Sequence, residues 1–146
     1  MEKERIERYK NKIDLALDRL SKIEDNIDQF DNEMIRLAIY KAFQEIVEAI
    51  TDLMSMILVD KNKSIGDDYA NVDKIMKIIR IDNKEAEILK EANGLRNRVI
   101  HEYNKTDDNQ AKESIERLCP EIEKILGKFL EFIKTIKDEK TKNKNK

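Results

Sequence analysis

Residues 2–30 read EKERIERYKNKIDLALDRLSKIEDNIDQF, and their spacing decides the fold class. Ile6, Tyr9, Ile13, Leu17, Leu20, Ile23, Ile27 and Phe30 recur every three or four positions with charges between them, the pattern of one amphipathic helix with a single buried stripe. A second helix follows Asp31-Asn32, a natural cap, and carries Leu37, Phe43, Ile46, Val47, Ile50, Leu53, Met54, Ile57 and Leu58. It is apolar around more of its circumference, which places it centrally. The stretch 60–68 has no periodicity, contains Gly66 and reads as a loop. A short helix is expected from Tyr69 to about Ile81, and a longer one from the Asp82-Asn83 cap to about Tyr103. A last helix, capped by Asp107 or Asp108, carries Ile115 through Ile136 and meets a kinking proline at 120. The expected architecture is all-α: a four-helix up-and-down bundle with an additional short helix over 1–136, then a basic, disordered tail over 137–146.

Composition agrees. The 146 residues include only 3 Gly and 1 Pro, too few turn residues for a sandwich or barrel, while 41% are charged. With 29 Lys+Arg against 31 Asp+Glu the net charge is -2, so any contact with nucleic acid must be local. One Cys and one His leave too few soft ligands for a zinc site built from one chain, and no metal or cofactor is expected. Every histidine-dependent scheme must use His101. The N-terminus is charged from its second residue, and the longest uncharged apolar run, Leu53 to Val59, is far below the ~18 residues that span a bilayer. The expectation is a cytoplasmic protein without a membrane partner.

One stretch says more than "helical bundle": Gly94-Leu-Arg-Asn-Arg-Val-Ile-His-Glu-Tyr103. On a helical wheel Leu95 and Val99 face the core, Arg96 lies at the edge of that stripe, and Tyr103 lies two turns beneath Arg96. A guanidinium aimed into a crevice between helices is costly unless something anionic meets it. Asn97, Arg98, His101 and Lys105 share the opposite, polar side. Arg96 and His101 therefore diverge by about 140° on an ideal helix. Either the helix bends near Gly94 or ends near His101, or a two-fold dimer brings His101 from both chains to one groove. A dimer would also supply the acid and the base that phosphodiester cleavage wants. The plain alternative makes His101 a dipole-complementing residue at a helix end and pairs Arg96 and Arg98 with Glu91 or Glu102 at the surface. Cys119, beside Pro120, reads as a small core residue rather than a nucleophile.

Arg96-Asn-Arg-Val-Ile-His101-Glu-Tyr103 resembles the signature of the HEPN superfamily, and the tyrosine two residues after the histidine resembles its HepT-like toxin branch. The resemblance extends over the helical order of nearly the whole chain. It implies a homodimeric, metal-independent endoribonuclease acting on RNA, the toxin of a toxin–antitoxin pair. Its partner would be a nucleotidyltransferase antitoxin that silences it by AMPylation of the motif tyrosine. Carried over, Arg96 and His101 are catalytic, Asn97 and Arg98 support the site, and Tyr103 is the modified residue. The rival reading is a non-catalytic helical dimer that docks a nucleotidyltransferase and binds nucleotide or RNA without cutting it.

Overall fold

The computed structural model describes residues 2–101 and 107–144, with side chains described over 3–101 and 107–136. Within them the elements are α1 (Glu2–Asn26), a 3-10 turn (Ile27–Gln29), α2 (Glu33–Asp60), α3 (Asp68–Ile75), α4 (Asn83–His101) and α5 (Asp108–Lys144), with no strand among the described residues. The fold is the all-α bundle that the periodicity predicts.

Side-chain pairs give the register. Arg5 pairs with Asp60, Lys12 with Asp52 and Arg19 with Glu45, so α1 and α2 run antiparallel. Glu85 meets Lys128 and Glu91 meets Arg117, so α4 and α5 are antiparallel too. The Lys61 ammonium over the Phe132 ring, 5.7 Å from its centroid, places the end of α2 beside the latter half of α5. These pairs, exposed or part-buried, serve here as markers of register. The weight is in the core, where Ile13, Phe43, Ile46, Ile115, Leu118, Ile122 and Phe129 are fully buried, each contributing roughly 1.5–3 kcal/mol by leaving water. Helix α2 buries twelve residues on several sides, as a central helix must.

The ends of the elements follow side-chain chemistry. Asn32 Oδ1 accepts from the Ile35 amide at 3.1 Å and starts α2. Asp82 and Glu85 form a reciprocal capping box at the start of α4: the Glu85 amide donates to Asp82 at 2.8 Å and the Asp82 amide donates to Glu85 at 3.1 Å. Asp107 accepts from the amides of Asn109 and Gln110 at 3.0 and 3.2 Å at the start of α5.

Three boundaries differ from the sequence expectation. The first α-helix stops at Asn26 and tightens into a 3-10 turn, because the chain must reverse within six residues, while Phe30 remains buried beside Tyr40. The short helix begins at Asp68, capped by the Asp67 carboxylate on the Ala70 amide at 2.8 Å, and ends at Ile75 rather than Ile81. Residues 76–78 run as a turn and 79 as a bend, and Ile79 and Ile81, only two positions apart, are both buried. Lastly, α5 continues past position 136 to Lys144, through the stretch expected as a disordered tail. The run Lys-Asp-Glu-Lys-Thr-Lys-Asn-Lys holds no Gly or Pro, and once the preceding part of α5 is anchored in the core each further residue adds a bond without new nucleation.

Pro120 sits inside α5 and does not end it. Next to it Cys119 packs against the core, and burial pushes its thiol up from 9.0 to about 12. The native thiol should therefore react with iodoacetamide at pH 8 far more slowly than an exposed cysteine, and at the ordinary rate once the chain is unfolded in urea. The sign also sets a pH dependence. The contribution of the buried protonated thiol to stability is complete below pH 9.0 and is lost as pH rises towards about 12. Native alkylation as fast as that of the denatured chain would contradict both expectations.

Candidate active site

Helix α4 presents Arg96 on the side where α3 crosses it. Arg96 is one turn beyond Asn93 and directly after Leu95, which is buried, so its stem is drawn inward and its side chain is only 14% exposed. The guanidinium is held at three points. Nε donates to Asn97 Oδ1 at 3.2 Å, and Nη2 donates to Asn93 Oδ1 at 2.8 Å and to Asp68 Oδ2 at 3.4 Å. Among the described residues nothing bonds Nη1. A part-buried cation has thus met the anion its position requires, and Nη1 carries two further donors that an oxyanion could take.

Asn93 and Asp68 are the residues that sequence reasoning missed. Asn93 is only 4% exposed, one of two buried polar residues among those described. Its signal was present, since an amide between Ala92 and Leu95 on the inward face, three positions before an arginine, needs a partner and supplies one. Asp68 left no such signal, because it lies 28 residues from Arg96 and was placed at the end of a loop. Its position is set by that loop. Asn71 Oδ1 accepts from the Gly66 amide at 2.8 Å and the Lys74 ammonium donates to the Ser64 carbonyl at 2.8 Å, pinning the entry to α3. On the far side Lys90 donates to Asp73 at 2.8 Å, which ties α4 to α3 and holds the Lys90 ammonium above its ordinary pKa range. Tyr69 folds over Gly94, where an added methyl would stand 3.6 Å from its hydroxyl.

His101 is exposed and is the last residue of α4. Arg98 is exposed and Asn97 half-buried. Tyr103 and Lys105 lie outside the described residues. The surface pairing of Arg96 with Glu91 does not form, since Glu91 is taken by Arg117, whose Nη1 lies 3.1 Å from it. The structure thus joins Arg96 to Asn97 and sets His101 at the helix end, within one chain and on a different side. The start of α5 is fastened nearby. Asp108 accepts from the buried Tyr40 hydroxyl and pairs with Arg36 at 3.4 Å, while Arg36 also stacks 6.0 Å from the Phe30 ring centroid. The start of α5 is therefore anchored to the bundle. The seam lined by Asp68, Tyr69 and Asn93 is nearly filled, with a cavity of only about 10 Å³. Roomier grooves of 470 Å³ between α1 and α2 and 560 Å³ against α5 are lined by none of the motif residues. No helix among the described residues is long and apolar enough to cross a membrane.

An all-α bundle carrying an Arg–Asn…His motif at the end of its fourth helix defines a HEPN-type protein. The profile of the family described as ribonuclease HepT-like matches residues 13–129, and the chain belongs to that family. Two Archaeoglobus fulgidus proteins, each named "Putative RNase", are similar to it. One is 30% identical over 132 residues, covering 90% of this chain and 95% of its own length, and the other is 30% identical over 104 residues, covering 71% and 76%. A Methanocaldococcus jannaschii protein of the same designation is 36% identical over 66 residues, covering 45% of this chain and 76% of its own length.

Proposed function

We propose that this chain is a metal-independent endoribonuclease, the toxin of a toxin–antitoxin pair, which works as a homodimer through Arg96 and His101. The observation that carries the reading is the cradle around Arg96: a part-buried guanidinium fixed by Asn93, Asn97 and Asp68, whose Nη1 bonds nothing among the described residues. Membership of a ribonuclease family supports the choice of RNA.

In this mechanism the ribose 2′-oxygen attacks the adjacent phosphorus as its proton passes to an imidazole, and the P–O5′ bond breaks as the 5′-oxygen takes a proton. His101 is the one imidazole of each chain, so a dimer provides one to accept and one to donate. Arg96 stabilises the charge that gathers on the equatorial oxygens of the phosphorane-like transition state, where a preorganised donor acts most strongly. Asn97 and Arg98 support the site. Tyr103 is the residue that a partner nucleotidyltransferase would AMPylate, adding a bulky phosphate that shuts substrate out.

Cleavage should survive EDTA, because the nucleophile is the substrate's own hydroxyl. Products should carry 2′,3′-cyclic or 3′-phosphate ends with free 5′-hydroxyls, read by mass spectrometry of a labelled oligonucleotide. Strict magnesium dependence, or DNA cut as readily as RNA, would overturn the mechanism. The rival reading, a non-catalytic dimer that docks a nucleotidyltransferase, is favoured by one observation: His101 and Arg96 leave α4 about 140° apart.

A further inference from the structure

The three acceptors around Arg96 are not equivalent. Asn97 and Asn93 belong to the same helix, and Asn93 is buried and bonded at 2.8 Å. They are neutral and fixed, so they orient the guanidinium without cancelling its charge. Asp68 differs in every respect. It comes from α3, its side chain is 41% exposed, its contact is long at 3.4 Å, and it is the anion of the set. Its backbone is held by the Asp67 cap and the Asn71–Gly66 bond, so the carboxylate can leave Arg96 only by turning about its own side-chain bonds into solvent. That motion breaks nothing else in the cradle, because among the described residues the Asp68 carboxylate bonds Arg96 alone and the two asparagines stay in place.

We propose that Asp68 is an internal competitor for the substrate phosphate. In the free chain it accepts from Nη2 at 3.4 Å, and a phosphodiester binding across Nη1 and Nη2 displaces it. This rests on the reading of Arg96 as the phosphate-binding residue and adds a determinant of affinity to it. The charge arithmetic fits. A phosphodiester carries one negative charge, as Asp68 does, so exchange leaves the guanidinium neutralised and costs no buried unpaired charge. A carboxylate that stayed beside the phosphate would repel it by an amount that is substantial at a few ångströms in a part-buried setting and small once salt screens it. Asp68 therefore sets a threshold: short or weakly held anions fail to displace it, while an RNA strand anchored by further contacts succeeds.

The test compares the full-length wild type with Asp68→Asn, Arg96→Ala and the double variant. Two readings are taken on each: steady-state cleavage of a short fluorogenic RNA, and titration with inorganic phosphate followed through the arginine side-chain NMR signals. Asp68→Asn keeps the shape of the side chain and removes its charge. It should lower KM and the phosphate dissociation constant roughly three- to tenfold at low salt, with kcat moving less than KM, and the gain should shrink near 0.5 M salt. In the Arg96→Ala background the same substitution should bring no such gain. Unchanged or weaker phosphate binding in Asp68→Asn would overturn the proposal. So would a fall in kcat at constant KM, which would make Asp68 a support for Arg96 rather than its competitor. An equal gain without Arg96 would reduce the effect to general charge removal and overturn it too. If the wild type cuts no RNA, the nuclease reading fails on its own, and the phosphate titration still decides the role of Asp68.

Discussion

His101→Ala should lose RNA cleavage by roughly 10²–10⁴-fold in single-turnover assays, the usual contribution of a positioned acid or base. It should lose growth inhibition with it, while circular dichroism and the melting temperature stay close to wild type. The expectation of a folded variant follows from exposure, since His101 is exposed at the last turn of α4. At most a weak favourable interaction with the helix dipole is lost. Arg96→Ala should reduce cleavage by a comparable factor, about 10²–10³ for loss of a preorganised donor to the transition state. Its effect on stability can take either sign, because it removes a part-buried charge and at the same time leaves the buried Asn93 oxygen without its donor. Tyr103→Phe separates silencing from chemistry: it should retain most of the nuclease activity and escape inactivation by the nucleotidyltransferase. His101→Ala protein as active on RNA and as toxic as wild type would hand the function to the non-catalytic docking reading.

How far the fold was legible depended on where burial and backbone chemistry agreed. The long helices were visible because Ile13, Leu20 and Ile23, or Ile115, Leu118 and Ile122, repeat at the helical period and all of these are buried. Asn32, Asp82 and Asp107 were readable as caps because their side chains satisfy amides that the helix itself cannot. Errors fell where one signal spoke alone. Ile27 and Phe30 continue the apolar spacing of α1, yet the backbone around Ile27 has already tightened to begin the reversal into α2. Beyond position 136 the charged run offers no apolar face, and helix propensity with an anchored preceding helix carries the backbone on to Lys144.

The site was legible in the same uneven way. The wheel placed Arg96 at the rim of the apolar stripe, from which elementary electrostatics demanded an anionic partner. The partner itself, Asp68, depends on how the 61–67 loop is pinned and on where α3 crosses α4, a tertiary relation with no local pattern. The unmatched geometry of Arg96 and His101 is a property of the helix and holds in the folded chain, where the two leave different sides of α4. On the proposed mechanism a single protomer would therefore hold phosphate binding and proton transfer at separate places, which is the strongest physical reason to look for the second chain.

Asn93→Ala should show that the cradle, and not the arginine alone, makes the site. The Asn93 oxygen is the shortest of the three contacts to the guanidinium and the most deeply buried, so no water readily takes its place. A hydrogen bond to a charged group contributes about 1.5–3 kcal/mol, and removing it frees Arg96 to follow Asp68 outward. If that energy is held in the transition state, kcat should fall roughly 10- to 100-fold, since each 1.36 kcal/mol is tenfold in rate. Stability should fall far less than for an alanine at Phe129, where loss of a fully buried ring costs about 3–5 kcal/mol. Asn93→Gln keeps the amide but lengthens its reach by one carbon in a packed seam, and should restore little. The distinguishing measurement is the split between the two kinetic constants in the same RNA assay. A fall in kcat with KM nearly unchanged identifies Asn93 as the residue that aims Arg96 at the transition state, whereas a rise in KM alone would mean that it serves only ground-state binding.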